Sequence, residues 1–261
     1  MRIFAFQIAY WTTSVFFAVT AIPLLLVPSR KPLGIWIQIY TKTMVFWMRT
    51  IVQIKLAVKG IENIPEGPCV IAAKHQSWGD GFCTYSQIED LAFVTGDHLE
   101  RLPLLGGILR KLGAIVVDNC GGMVARARLM DDELKKAQDQ GRRILIYPEG
   151  HLAPPGEKYR YKRGVFHIYA AYQRPVVPVA TNLGLFWPQA TWQLKPGTAT
   201  IEFLPPIEPG VEKVEFMRQL EKAIEERSLA LLDDERAQQV PWDRPALPDP
   251  SSPASHTTSS A

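Results

Sequence analysis

The chain has 261 residues, with 29 Lys and Arg against 26 Asp and Glu and a formal net charge of +3. That length suits one substantial core rather than two small domains, and so even a charge balance excludes a nucleic-acid binder driven by bulk charge. Three scattered cysteines, Cys69, Cys83 and Cys120, exclude a disulfide framework or zinc knuckle and read as buried or free thiols in a reducing compartment.

Residues 3–27 carry no charge between Arg2 and Arg30. At about 1.5 Å rise per residue such a run covers the roughly 30 Å hydrocarbon core of a bilayer. A secretory signal peptide and a buried core helix are the competing readings. No small-x-small cleavage site precedes Pro23, and Pro23 and Pro28 followed by Arg30 and Lys31 resemble a membrane exit. The next apolar stretch, 33–48, contains Lys42 and is followed by Arg49, a pattern suited to a helix lying in the interface, or a short re-entrant one, better than to a second span. Trp11, Trp36, Trp47 and Trp78 all fall in the first third of the chain, as aromatics do where a protein meets a bilayer. Residues 1–50 are therefore expected to form a membrane anchor plus an interfacial helix. The basic residues beside them favour a cytoplasmic position for the remainder of the chain.

From residue 54 the pattern changes. Short β-rich runs at 54–58, 69–73, 92–95, 114–117, 143–147, 176–180 and 199–204 alternate with helical stretches near 79–86, 104–112, 121–140, 164–171 and 214–232. The expectation is an α/β domain over 51–235, a mixed, largely parallel sheet flanked by helices. Ligands of such sheets bind beyond the carboxyl ends of strands, where His75 and Glu149 fall. The Pro- and Ser-rich segment 240–261 has little to bury and is expected to be a disordered tail.

Three runs carry chemistry. His75 and Asp80 follow the apolar run 69–73, and a carboxylate that holds one ring nitrogen leaves the other free to take a proton from a hydroxyl. A lone His after a strand can equally be structural. Positions five apart on a straight helix diverge by about 140°, so the pair requires a turn, with Ser77 or Gly79 as the cap. The second run is Tyr147-Pro-Glu-Gly150, where Pro stops the ladder and Gly permits a tight turn, presenting Glu149 at the sheet rim. An ordinary turn with a solvated Glu is its bland reading. The third is the basic run 158–163, closed by Gly164. If extended, Lys158, Arg160 and Lys162 share one side and the tyrosines the other, forming either a solvated edge or an anion site. Gly106-Gly107 and Gly121-Gly122 make no nucleotide fingerprint, and His98, His151 and His167 lack metal-ligand spacing. No Gly-x-Ser-x-Gly elbow is present.

Taken in order, His75-x4-Asp80, Gly113-Ala-Ile-Val-Val-Asp118, Tyr147-Pro-Glu-Gly150 and Val176-Val-Pro-Val-Ala180 resemble the four blocks of the glycerolipid acyltransferases, in particular the bacterial 1-acyl-sn-glycerol-3-phosphate acyltransferases. The resemblance spans roughly residues 50 to 232. It implies a glycerol-3-phosphate acyltransferase-like fold, with His75 as general base and Asp80 orienting it. It also implies acyl transfer from acyl-acyl carrier protein or acyl-CoA to the free hydroxyl of a lysolipid, with Glu149 and Gly150 in acceptor binding. No metal or redox cofactor is implied, and backbone N–H groups at the helix start are expected to stabilise the oxyanion. The implied location is the cytoplasmic face of the inner membrane.

Two positions depart from the pattern. Asn119 and Leu152 stand where the family commonly has arginines that hold the acceptor phosphate. A charge-assisted hydrogen bond is worth about 1.5–3 kcal/mol, so other cations must substitute: Arg160, Lys162 and Arg163, or Arg126 and Arg128. A lysolipid lacking a phosphomonoester, such as an aminoacyl lysolipid, is the alternative acceptor. A non-catalytic lipid-binding scaffold is the reading from another class.

Overall fold

The computed structural model describes residues 1–102, 104–117, 123–189 and 191–238. Asp118, Asn119, Cys120, Gly121-Gly122 and the segment 240–261 lie outside this set, as do the side chains of His98, Arg126 and Arg128.

Two long helices open the chain, α1 (Arg2–Leu25) and α2 (Lys31–Thr50). They run antiparallel: Thr13 meets Trp47, Ser14 meets Tyr40 and Phe17 stacks beside Trp36. α1 is long and apolar enough to cross a membrane. One face carries an exposed stripe of Phe4, Ile8, Trp11, Val15, Val19 and Ile22, the three- and four-residue spacing of a single helical face. Its other side packs on α2 along its middle and on the domain near both ends. Near its start Phe6 packs edge-on against Trp187 at 5.4 Å, and near its end Ala21 packs with Ile108 and Leu112.

The strands are β1 (Ile54–Lys59), β2 (Val70–Ala73), β3 (Leu91–Gly96), β4 (Ile115–Val117), β5 (Arg143–Ile146), β6 (Val176–Thr181) and β7 (Gly197–Phe203). They form one sheet in the order β1-β7-β6-β2-β5-β3-β4. Every neighbouring pair is parallel except β6 with β7. The mixed, largely parallel α/β sheet is thus present, with each strand close to its expected limits. β2 and β6 are buried throughout, as strands covered on both faces are.

The remaining helices are α3 (Asp80–Tyr85), α4 (Asp97–Glu100), α5 (Leu105–Leu112), α6 (Met123–Asp139), α7 (Gly164–Tyr172) and α8 (Lys213–Gln238). α4 has no counterpart in the sequence reading, because four residues are too few to show a helical period. The alternation of side chains along β2 divides the core. Ile71 and Ala73 face a cluster with Phe6 of α1, Met48 of α2 and Cys83 of α3. Val70 and Ala72 face the opposite cluster with Leu134 of α6, Val165 of α7 and Phe216 of α8.

Candidate active site

Two parallel neighbours at the centre of the sheet position the site. β2 pairs β5 with Ala72 opposite Ile146, so the chains leaving these strands bring His75 and the Tyr147–Gly150 turn to the same level. The Lys74 N–H still donates to Val179 of β6 before the chain turns away. Asp80, the first residue of α3, then reaches back. Its Oδ2 lies 3.0 Å from His75 Nδ1 and accepts the N–H groups of Gln76 at 2.7 Å and Ser77 at 2.8 Å. The turn that the five-residue spacing demanded is held by the carboxylate itself.

Gly79 is the N-cap of α3. A Cβ there would stand 2.8 Å from the Trp187 ring, so only glycine lets the turn approach the aromatic cluster. Ser77 supports the same turn by accepting the Gly79 N–H at 3.0 Å. The amides of Gln76 and Ser77 are committed to Asp80. They are therefore not free for an oxyanion.

A carboxylate only accepts, so in the neutral imidazole the proton sits on Nδ1 of His75 and the lone pair on Nε2. The imidazole stacks on Tyr147, with centroids 3.9 Å apart and planes inclined by 17°. The His75 side chain is 22% exposed, against 3% for Asp80, as suits a base that meets substrate and a buried group that orients it. Burial pushes the Tyr147 hydroxyl well above its ordinary value, so the platform under the imidazole is neutral. The Cys69 thiol is pushed up to about 11 and Cys83 higher still, again by burial, as fits inert core thiols.

Glu149 sits differently from its expected place at the rim. It follows Pro148 in a turn closed by the Gly150 N–H donating to the Tyr147 carbonyl, but it is buried, with 1% of its surface exposed. Its Oε1 lies 2.9 Å from Lys74 Nζ, and its Oε2 accepts the Tyr159 N–H at 2.9 Å. Lys74 Nζ also donates to both Glu225 oxygens and to the Glu157 carbonyl, each at 2.9 Å, while Tyr161 donates to Glu225 at 2.8 Å. Burial raises the Glu149 carboxyl above its ordinary value, and the Tyr159 amide and Lys74 pull it back. Glu149 thus joins an internal ion cluster instead of awaiting a hydroxyl at the surface. Lys74 is the reason, and a lysine directly after an apolar strand was the available signal.

The basic run 158–163 also departs from simple alternation. Tyr159 is 43% exposed while Tyr161 is 4% exposed, so the tyrosines do not share a face. Lys158 is engaged with Glu221 at 2.7 Å. Arg160, Lys162 and Arg163 are exposed and form no ion pair among the described residues. The Lys162 N–H donates to Pro148 at 2.7 Å, and its aliphatic stem crosses Gly150, 3.4 Å from where a Cβ would lie. Gly150 has φ +68, a left-handed conformation that favours glycine. Arg163 holds the N-cap position of α7 without a side-chain hydrogen bond, and Gly164 opens the helix. Beyond Gly150, His151 is exposed, Leu152 is half-buried, and the Ala153 N–H returns to the His75 carbonyl at 2.7 Å. Tyr147, Lys74, Ala153 and Glu225 are the contributors missed by motif spacing.

The Acyltransferase family model matches residues 55–182, the stretch that carries both the His75–Asp80 contact and the Glu149 turn. The chain is 34% identical over 194 residues to the 1-acyl-sn-glycerol-3-phosphate acyltransferase of Pseudomonas aeruginosa, covering 73% of this chain and 72% of that one. It is 28% identical over 130 residues to a chloroplast 1-acyl-sn-glycerol-3-phosphate acyltransferase of Brassica napus, covering 48% and 36%. The fold matches the crystal structure of the 1-acyl-sn-glycerophosphate acyltransferase of Thermotoga maritima with a TM-score of 0.71 at 20% identity, over 89% of this chain and 98% of that one. The chain belongs to the glycerolipid acyltransferase family, in the branch of the 1-acyl-sn-glycerol-3-phosphate acyltransferases.

Proposed function

We propose that the protein transfers a fatty acyl group from acyl-acyl carrier protein or acyl-CoA to the free hydroxyl of 1-acyl-sn-glycerol-3-phosphate, giving phosphatidic acid. The observation that carries this reading is the 3.0 Å contact of His75 Nδ1 with Asp80, which leaves Nε2 as the base. Nε2 takes the hydroxyl proton as the oxygen attacks the thioester carbonyl. The tetrahedral intermediate then collapses, the C–S bond breaks, and the imidazolium returns the proton to the leaving thiolate. The thioester supplies the driving force, and no cofactor is assigned. Lys162 beside the Gly150 turn, with exposed Arg160 and Arg163 on the same run, is the proposed phosphate site, in place of the arginines replaced by Asn119 and Leu152.

The same reading places α1 and α2 in the membrane, with the catalytic domain on the cytoplasmic face of the inner membrane. Both ends of α1 pack on the domain, which favours a helix pair embedded lengthwise with its apolar stripe in the bilayer. Thr12 and Thr20 donate back to their own helix and Trp36 donates to Phe17, so these polar groups need no water. α3, which begins at Asp80, meets the pair through Phe82, set edge-on to Tyr10 and Tyr40 at 6.0 and 5.7 Å. The catalytic turn thus lies close to where a lysolipid would be.

A panel of lysolipids offered with one acyl thioester tests the proposal. Acylation of lysophosphatidic acid that is lost in His75→Ala supports it. Full turnover in that variant would refute the base, and acylation of an aminoacyl lysolipid alone would transfer the activity to that acceptor.

A further inference from the structure

The catalytic turn lies beyond the carboxyl ends of the strands, but a second feature lies at their other end. Gly113 and Ala114 precede β4 and Arg142 precedes β5, two strands of the parallel set that includes β2. Together with the α1–α2 turn and the ends of α5 and α6, they line an open cavity of about 1150 Å³.

Cations dominate this cavity, with seven Lys and Arg side chains in its lining against Glu100 and Glu133. Arg110 contacts Glu100 at 3.1 Å and Lys136 contacts Glu133 at 2.7 Å, while Arg30 and Arg142 share Asp90 at 2.8 and 3.4 Å. Lys111 donates to the carbonyls of Val27 and Pro28, which ties down the turn without neutralising its charge. Lys31 forms no ion pair among the described residues. Buried Arg142 has an Nε with no aligned acceptor. A concave site with excess positive charge concentrates anions.

The surroundings indicate which anion. The cavity wall begins at Pro28, and Leu26 just before it, 85% exposed, continues the apolar stripe of α1. Leu102, next to the lining residue Arg101, is also exposed. Exposed apolar side chains within two residues of the lining of a basic cavity suit a molecule with a phosphate head and a hydrocarbon body. We propose that this cavity binds the phosphate headgroup of an anionic membrane lipid, separate from the acceptor at His75. It would hold the α1–α2 turn against an anionic bilayer. The inference rests on the membrane reading of α1 and α2.

The test uses the full chain with vesicles of phosphatidylcholine alone or mixed with phosphatidylglycerol, comparing wild type with Lys31→Gln/Arg110→Gln/Lys136→Gln. The variant is expected to lose roughly tenfold or more of the partition onto anionic vesicles. It should bind neutral vesicles and transfer acyl groups in detergent as wild type does. Retention of the full anionic preference by the variant, or equal binding of both vesicles by wild type, overturns the cavity proposal and leaves the membrane reading standing. Binding of neither vesicle by wild type overturns both. Inorganic phosphate that raises the wild-type Tm but not the variant's, without any anionic-vesicle preference, would assign the cavity to free phosphate and overturn the lipid.

Discussion

Lys74 Nζ and Glu149 Oε1 lie 2.9 Å apart, and each side chain is only 1% exposed. The residue before the proposed base is thereby tied to the turn whose Tyr147 ring supports that base. Glu225 of α8 and the Glu157 carbonyl complete the cluster, so three distant segments converge on the end of β2.

Removing one partner of a buried pair strands the other and costs about 3–5 kcal/mol. Lys74→Met is expected to lower stability by about that amount, because it leaves Glu149 and Glu225 together without a cation. Glu149→Gln should cost less, since Lys74 keeps Glu225. Denaturant unfolding in detergent measures both, and equal losses would show that Glu149 carries the cluster alone.

The same carboxyl makes stability depend on pH in a definite direction. Burial raises Glu149 above its ordinary value of 4.5, so between that value and the folded one the native state binds the extra proton. Its contribution is fully present below the unfolded value and is lost as pH rises through the folded one. Wild-type stability relative to Glu149→Gln should therefore fall as pH rises across that window. Parallel stability curves for the two proteins would contradict this.

Asp80 holds the imidazole and the two amides that shape the turn. Asp80→Asn nearly preserves its volume but weakens the control of the tautomer. Its kcat is expected to fall by roughly 10²–10⁴, while vesicle binding stays unchanged. A kcat within a few fold of wild type would remove Asp80 from its orienting role.

Lys162 crosses the Gly150 turn, and Arg160 and Arg163 lie within two residues of Lys162, all three without acidic partners among the described residues. Replacing all three with Gln should raise the KM for lysophosphatidic acid by about tenfold or more and change kcat little. An unchanged KM would place the phosphate elsewhere.

What could be read along the chain was what depends on near neighbours. The apolar runs of β2 and β6, the uncharged length of α1 and the turn residues Pro148 and Gly150 reflect local chemistry, and with them came the α/β class and the His75–Asp80 pair. The partners of buried charges were not legible there. Glu149 looked like a rim residue because its counterion, Lys74, follows a strand that becomes its neighbour only through the pairing of β2 with β5. Tyr159 and Tyr161 were expected to share a face, but Tyr161 is drawn inward by Glu225 of α8. Periodicity is a property of the backbone and can be read locally. Burial of a charge is decided by which distant groups the sheet order brings within about 3 Å, where Coulomb attraction in a low dielectric offsets desolvation. That choice belongs to the tertiary structure alone.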